Sequence, residues 1–260
     1  MTTNPASLDR MFRATLLMVD FTVEGDMKRI VLLGILALLI VTIPAAAQDM
    51  PCQAGGQNYD NPEICQASVE VSIAYPTWIL GNPATAEVVT GWIGEVRSQF
   101  LTAAAGYWDT FTFSYSLDIS FEETALADQA RSVVFTISEY TGGAHPNGYF
   151  QTYSVDANTG ELLTLADIFS DVDTGLLAVS GLAAQSILNS MGEMADAQWV
   201  TDGTAPEPVN FQNWALADGV LRVYFPPYQV GPHAMGPQIV DIPLSDLYDL
   251  LAPRWQALAS

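Results

Sequence analysis

The chain has 260 residues, with 8 Lys and Arg against 29 Asp and Glu and a formal net charge of −21. A field of that sign repels phosphate backbones and anionic lipid, which excludes nucleic acid as a partner, and it speeds encounter with cations and basic proteins. The same acidity is also what keeps an exported protein soluble, and taken alone that plainer explanation suffices.

Met27-Lys28-Arg29 is a short basic start. Ile30 to Ile43 is an apolar run broken only by Gly34 and Thr42, and Ala45-Ala46-Ala47 offers a small-residue cleavage site. These are the parts of a secretory signal peptide, and the run is shorter than the roughly 20 residues a membrane span needs. Residues 1–47 are read as leader, with 27–47 the leader proper and 1–26 an extension removed if Met27 is the start. The competing reading keeps the run as an uncleaved anchor, and only then is the chain tied to a membrane. Run length and the Ala-x-Ala site favour cleavage, hence a secreted or cell-envelope location. Cys52 and Cys65 are the only cysteines. In an exported chain an isolated pair reads as one disulfide, here closing a turn-rich arm over 48–67. C-x12-C lacks the second ligand pair of a zinc site.

Val69, Val71 and Ile73 alternate with polar residues, a half-buried strand ending near Tyr75-Pro76. Asn82-Pro83 breaks the chain. From Ala84 to Ala104 the residues Val88, Val89, Trp92, Ile93, Val96 and Phe100 fall at helical spacing. Phe111 to Phe121 alternates an aromatic and aliphatic face with Thr, Ser and Asp, the cleanest strand signal in the chain. Glu122 to Ala130 is expected to be a connection. Ser132 to Tyr140 and Tyr149 to Asp156 are further strands, and Asn158-Thr159-Gly160 a tight turn. Leu162 to Phe169 leads into a short helix, and Thr174 to Met194 carries a longer amphipathic one. Thr201 to Val209 reads as an acidic, Pro-containing loop. Asp218-Gly219 between two apolar runs marks a hairpin from Phe211 to Phe225. Gln238 to Ile242 is a last strand, and a short helix to Leu251 follows with Ser245 as candidate cap. This order predicts an α+β fold: an antiparallel or mixed sheet with helices packed on it, in two small intertwined subdomains.

No G-x-S-x-G elbow is present, and no catalytic set or cofactor is implied by any motif. The only two histidines stand in Gly- and Pro-rich stretches: Glu139-Tyr140-Thr141-Gly142-Gly143-Ala144-His145-Pro146, and Tyr228-Gln229-Val230-Gly231-Pro232-His233-Ala234-Met235-Gly236. The glycine pair lacks the Lys and Ser/Thr of a phosphate loop, and its physical reading is backbone freedom after a strand. A metal held by His145, His233 and a carboxylate such as Glu139 or Asp241 requires both loops to meet. Without a short spacing to enforce it, backbone hydrogen bonding by each histidine is the preferred reading. For the loops as a group two readings stand level. Either they cross and lock each other, or Tyr140, His145, Tyr149, Tyr228 and His233, with Glu139 beside them, form a ligand-recognition face.

Together with Asp156-Ala157-Asn158-Thr159-Gly160-Glu161-Leu162-Leu163-Thr164-Leu165, these two stretches resemble the extracellular RsiV-type domain. That domain is found on lysozyme-sensing anti-sigma factors and beside polysaccharide deacetylase domains. The resemblance covers Val69 to Leu250, with 68–140 similar to the PdaC-like segment that precedes the core and 141–252 to the core itself. It implies a non-catalytic binding or sensing module with a basic protein such as lysozyme, or cell-wall polymer, as partner. The deacetylases hold a metal with Asp and a paired His-x-x-x-His, which this chain lacks. No sigma-binding segment is recognisable in 1–26, which departs from the anchored anti-sigma receptors. The alternatives are a wall-polymer hydrolase or deacetylase-like enzyme using His145 or His233, or an anchored receptor of the anti-sigma-factor type.

Overall fold

The computed structural model describes residues 69–106 and 115–259. The leader, the Cys52–Cys65 arm and the start of the strand expected from Phe111 lie outside the described residues. A five-stranded sheet runs β1 (Val69–Ile73), β2 (Tyr115–Leu126), β3 (Ala130–Tyr140), β4 (Asn147–Asp156) and β5 (Leu162–Leu163), in that order. β1 pairs parallel with β2 and every other pair is antiparallel. A second sheet holds β6 (Trp214–Ala217), β7 (Val220–Phe225) and β8 (Gln238–Pro243), all antiparallel. The helices are α1 (Pro83–Gly106), α2 (Leu165–Ile168), α3 (Val172–Met191), α4 (Ala197–Gly203) and α5 (Pro253–Gln256). The α+β expectation holds, and the parallel β1–β2 pair makes the first sheet mixed.

Alternation places the core. Val89, Ile93, Val96 and Phe100 of α1 pack on Leu117 and Ile119 of β2 and on Val133, Phe135 and Ile137 of β3. The other side of β3 is buried as well, because Val134 meets Ala215 and Tyr224 of the second sheet. The second sheet turns Leu221, Val223 and Phe225 toward Leu176, Val179, Ala183 and Ile187 of α3, with Trp255 of α5 in the same cluster. Val88 and Leu177 share their helices' apolar spacing but are exposed.

The two sheets join through hydroxyl groups. β6 pairs only with β7, so its outward backbone groups need partners from elsewhere. Trp214 N–H donates to Thr152 Oγ1 at 2.9 Å and Leu216 N–H to Ser132 Oγ at 3.1 Å. Thr124 Oγ1 donates to Leu216 O at 2.8 Å, and Ser132 and Ser154 share a 2.8 Å hydroxyl contact. Ser132→Ala leaves a buried Leu216 N–H unsatisfied. The expected cost is about 2 kcal/mol of unfolding free energy, read from urea titration; a change near zero would show that another partner replaces the serine.

Asn82-Pro83 breaks the chain as expected, between a 3-10 turn (Thr77–Gly81) and α1, and it also opens that helix: Asn82 Oδ1 accepts the N–H groups of Ala84 (3.0 Å) and Thr85 (3.2 Å), and Pro83 occupies the position where a missing N–H costs nothing. Three other local expectations are corrected. The segment from Glu122 is strand to Leu126, held by the Thr124 bond to β6, and only the turn before Ala130 connects. The stretch expected as an acidic loop begins inside α4, which Asp196 caps through the N–H groups of Gln198 and Trp199, both at 3.0 Å. Ser245 caps nothing; Leu244–Leu250 is a 3-10 segment entered from Pro243.

The turn at 156–160 is tied to the C-terminal end. Asp156 Oδ1 accepts from Asn158 N–H (2.8 Å) and Thr159 N–H (3.1 Å), and Arg254 bonds both Asp156 Oδ2 and Gln129 O. Burial works against ionisation of Asp156, but the Arg254 hydrogen bond, the two backbone N–H groups and the Arg254 charge outweigh it and hold the carboxyl below its usual value. A depressed carboxylate stabilises the fold above its unfolded value of about 3.9 and loses that contribution as pH falls through the lower folded value. Asp156→Asn is therefore expected to cost about 1.5 kcal/mol at neutral pH, with the gap from the parent closing below about pH 4. A gap independent of pH would mean that the carboxylate charge contributes nothing.

Candidate functional site

After Thr141 the β3–β4 loop passes through two residues in left-handed backbone, Gly142 (φ 96°) and Gly143 (φ 109°). A side chain there would strain the backbone, so the glycine pair is what lets the chain leave β3 sharply. Tyr140 Oη donates to Gly143 O at 3.0 Å and fixes the bend. His145 follows, exposed, with Nδ1 donating to Pro146 O at 3.0 Å. The β7–β8 loop carries His233 on a 3-10 turn, His233–Met235, entered from Pro232. The two loops meet. The imidazoles of His145 and His233 stack with ring centroids 3.7 Å apart and planes 18° from parallel. Tyr228 lies beside them, its ring centroid 5.4 Å from that of His233.

The second loop is pinned from below. Trp199 Nε1 of α4 donates to Tyr228 O at 3.0 Å. Gln229 Nε2 reaches Gly203 O and Asn210 O, both at 2.9 Å. Gly203 permits this approach, since a Cβ there would stand 2.0 Å from Gln229 O. These clamps hold Tyr228 at φ 72°, a region bulky residues rarely occupy, with its ring exposed.

The other candidates fall elsewhere. Glu139 pairs across from Asn147, and Ile137 from Tyr149, so Glu139 and Tyr149 are diagonal neighbours on the α1 side of the sheet. Burial raises the Glu139 carboxyl above its ordinary value; burial and then the Glu139 charge raise the Tyr149 phenol. Tyr140, one position along β3, projects to the opposite side. The six residues thus divide into His145, His233, Tyr228 and Tyr140 around the two loops, and Glu139 with Tyr149 on the other face. Trp199, Gln229 and Gly203 support the first group. None of the three is among the site candidates read from the sequence, where Gln229 stands unremarked inside the second loop's motif.

The chemistry available is limited. Stacked rings send their in-plane lone pairs side by side instead of toward a common point about 2 Å from each. Among the described residues, no three His, Cys, Asp or Glu side chains come together to hold a metal, and Asp241 is engaged by Arg222. Neither histidine bonds a serine or a carboxylate among the described residues. A separate cavity of about 410 Å³ lies between β4, β5, α2 and α3, lined by Leu163, Val172, Leu176, Phe211 and Trp214 among others. Its lining contains no histidine and no carboxylate. On the opposite side of β4 the Tyr153 ring packs against Trp92 and Phe135, and burial pushes its phenol up to about 12. No helix among the described residues is long and apolar enough to cross a membrane.

Residues 166–245 match the model of a family described as protein of unknown function DUF3298. The peptidoglycan-N-acetylmuramic acid deacetylase PdaC of Bacillus subtilis is 29% identical over 139 residues, which is 54% of this chain and 30% of that protein. The chain therefore spans less than a third of PdaC. Esterase Rv3036c of Mycobacterium tuberculosis is 24% identical over 216 residues, 81% of this chain and 93% of that protein. A crystal structure of a DUF3298 member from Bacteroides fragilis shares 20% identity, covers 70% of this chain and 72% of its own, and superposes with a TM-score of 0.47.

Proposed function

We propose that this chain is an exported, non-catalytic binding module of the RsiV type in the bacterial cell envelope. Its contact face is the junction of the two loops, and its ligand is a basic protein such as lysozyme or the peptidoglycan wall polymer. The observation that carries this reading is the His145–His233 stack with Tyr228 beside it: the chain's only two histidines, 88 positions apart, are brought to one surface and held there. Among the described residues neither histidine has a serine or carboxylate partner, which weighs against proton transfer at that surface. The likeness to a peptidoglycan deacetylase supports the wall as setting.

Calorimetric titration with lysozyme and pelleting with purified peptidoglycan, each at low and high salt, test the reading. Saturable binding that survives high salt supports it; binding that vanishes with salt reports only the −21 charge, and no binding of either ligand overturns it. A second reading, hydrolysis of an ester or wall linkage by His145 or His233, is favoured by the likeness to an esterase along nearly that protein's whole length. Turnover of a nitrophenyl ester that is lost in both His145→Ala and His233→Ala would replace the first reading with this one.

A further inference from the structure

The two loops that carry the stacked histidines differ from the rest of the chain in charge. From Tyr140 to Val155, and again from Val223 to Val240, the chain has no Asp, Glu, Lys or Arg, although 14% of its residues are charged and the net charge is −21. Those spans contain both loops of the junction. A face evolved to grip a cationic protein places carboxylates at the contact, where they steer encounter and fix register. Here the acids lie outside both loops, and what the loops present is aromatic: Tyr228 with its ring exposed, the half-buried ring of His233 and the exposed ring of His145.

Tyr228 adds a second, independent sign. A bulky residue at φ 72° is a conformational outlier, and such strain persists where surrounding contacts over-determine it, commonly at binding sites. The contacts that impose it come through the backbone oxygen of Tyr228 and through Gln229, leaving the ring itself unburied. The fold accepts strain to hold an aromatic plate out in water.

We infer that this face takes a neutral saccharide, one pyranose ring of a β-linked glycan stacking on Tyr228 while the imidazoles serve its hydroxyl or amide groups. The inference rests on the binding-module reading and names its ligand class. A pyranose presents an apolar C–H face rimmed by hydroxyls, which matches a flat ring carrying polar atoms at its edge. His145 Nδ1 is spent on Pro146 O, so Nε2 of that exposed ring remains as an acceptor for a sugar hydroxyl. No charge on the ligand is required, and none is offered by either loop.

The probe is the β-1,4-linked tetramer of N-acetylglucosamine, titrated into the full chain. The ring C–H resonances of the two histidines form a reporter that no other histidine overlaps. Expected are saturable shifts of both histidines, with a dissociation constant unchanged by a large increase in salt. Tyr228→Gly, which suits the backbone at this position, should keep the thermal midpoint and weaken binding at least about tenfold; Tyr228→Phe should retain it. Shifts that persist in Tyr228→Gly would overturn the stacking platform. No sugar response, with lysozyme moving the same resonances, would overturn the saccharide and leave the module reading standing with a protein ligand. Silence toward sugar, lysozyme and wall polymer alike would overturn both.

Discussion

Replacing Gly203 with alanine will lower the unfolding free energy by about 3 kcal/mol and separate the two stacked histidines. The added Cβ would stand 2.0 Å from Gln229 O and 2.8 Å from its carbonyl carbon. These are backbone atoms, so no side-chain rotation relieves the collision. Either the end of α4 moves or the Tyr228–Gln229 segment does. Movement breaks the paired bonds of Gln229 Nε2 to Gly203 O and Asn210 O and slackens the Trp199 bond to Tyr228 O. Overpacking costs about 1–3 kcal/mol, and each hydrogen bond lost adds about 1 kcal/mol. Urea unfolding gives the energy and histidine ring resonances give the geometry. A variant within about 0.5 kcal/mol of the parent, with unchanged histidine shifts, would show that the loop is not clamped at Gly203.

Trp255→Ala carries the other large effect, an expected loss of about 4 kcal/mol. The indole is 1% exposed, lies in the same cluster as α3, β7 and β8, and donates from Nε1 to Asp167 O at 2.7 Å. Truncation empties a large volume in that cluster and leaves the Asp167 carbonyl without its donor. Trp255→Phe refills most of the space and should recover about half of the loss. Equal losses in the two variants would show that the hydrogen bond, and not the volume, dominates. The Arg254 guanidinium, stacked 4.4 Å over the ring, makes this position sensitive to the neighbouring ion pair as well.

Much of the architecture was legible because one face of each element is buried. The alternation of Tyr115, Leu117 and Ile119 with Ser116, Asp118 and Ser120 reads directly as β2, and Asp218-Gly219 reads as the β6–β7 turn, with Gly219 at φ 74°. What was missed lacks a periodic signal. The far half of β2 is largely exposed and is held by its antiparallel pairing with β3 and by the Thr124 hydroxyl reaching β6. α4 is a short helix in a polar stretch, declared only by the Asp196 cap. Parallel pairing of β1 with β2 is set across the intervening α1 and leaves no mark in either strand's own sequence.

The candidate site was legible as composition and not as geometry. Two loops of similar make-up, each with one histidine, suggested a meeting without specifying a stack. Glu139 and Tyr140 are adjacent in sequence and were grouped for that reason, yet the two-residue period of a strand sends them to opposite sides of the sheet. The supports of Tyr228 come from α4 and from Gln229 bonds to main-chain oxygens, partners that are visible only once the chain is folded.

The hydroxyl row from Thr124, Ser132 and Thr152 has a consequence for how this molecule behaves in company. A strand with unpaired N–H and C=O groups is a template on which another chain can add, the first step toward fibrous assembly. β6 is apolar, Trp-Ala-Leu-Ala, and buried along its whole length, and its free edge is sealed by side chains of the neighbouring sheet. Three small alcohols therefore act as guards against intermolecular strand addition at an edge that carries no charge of its own to repel it.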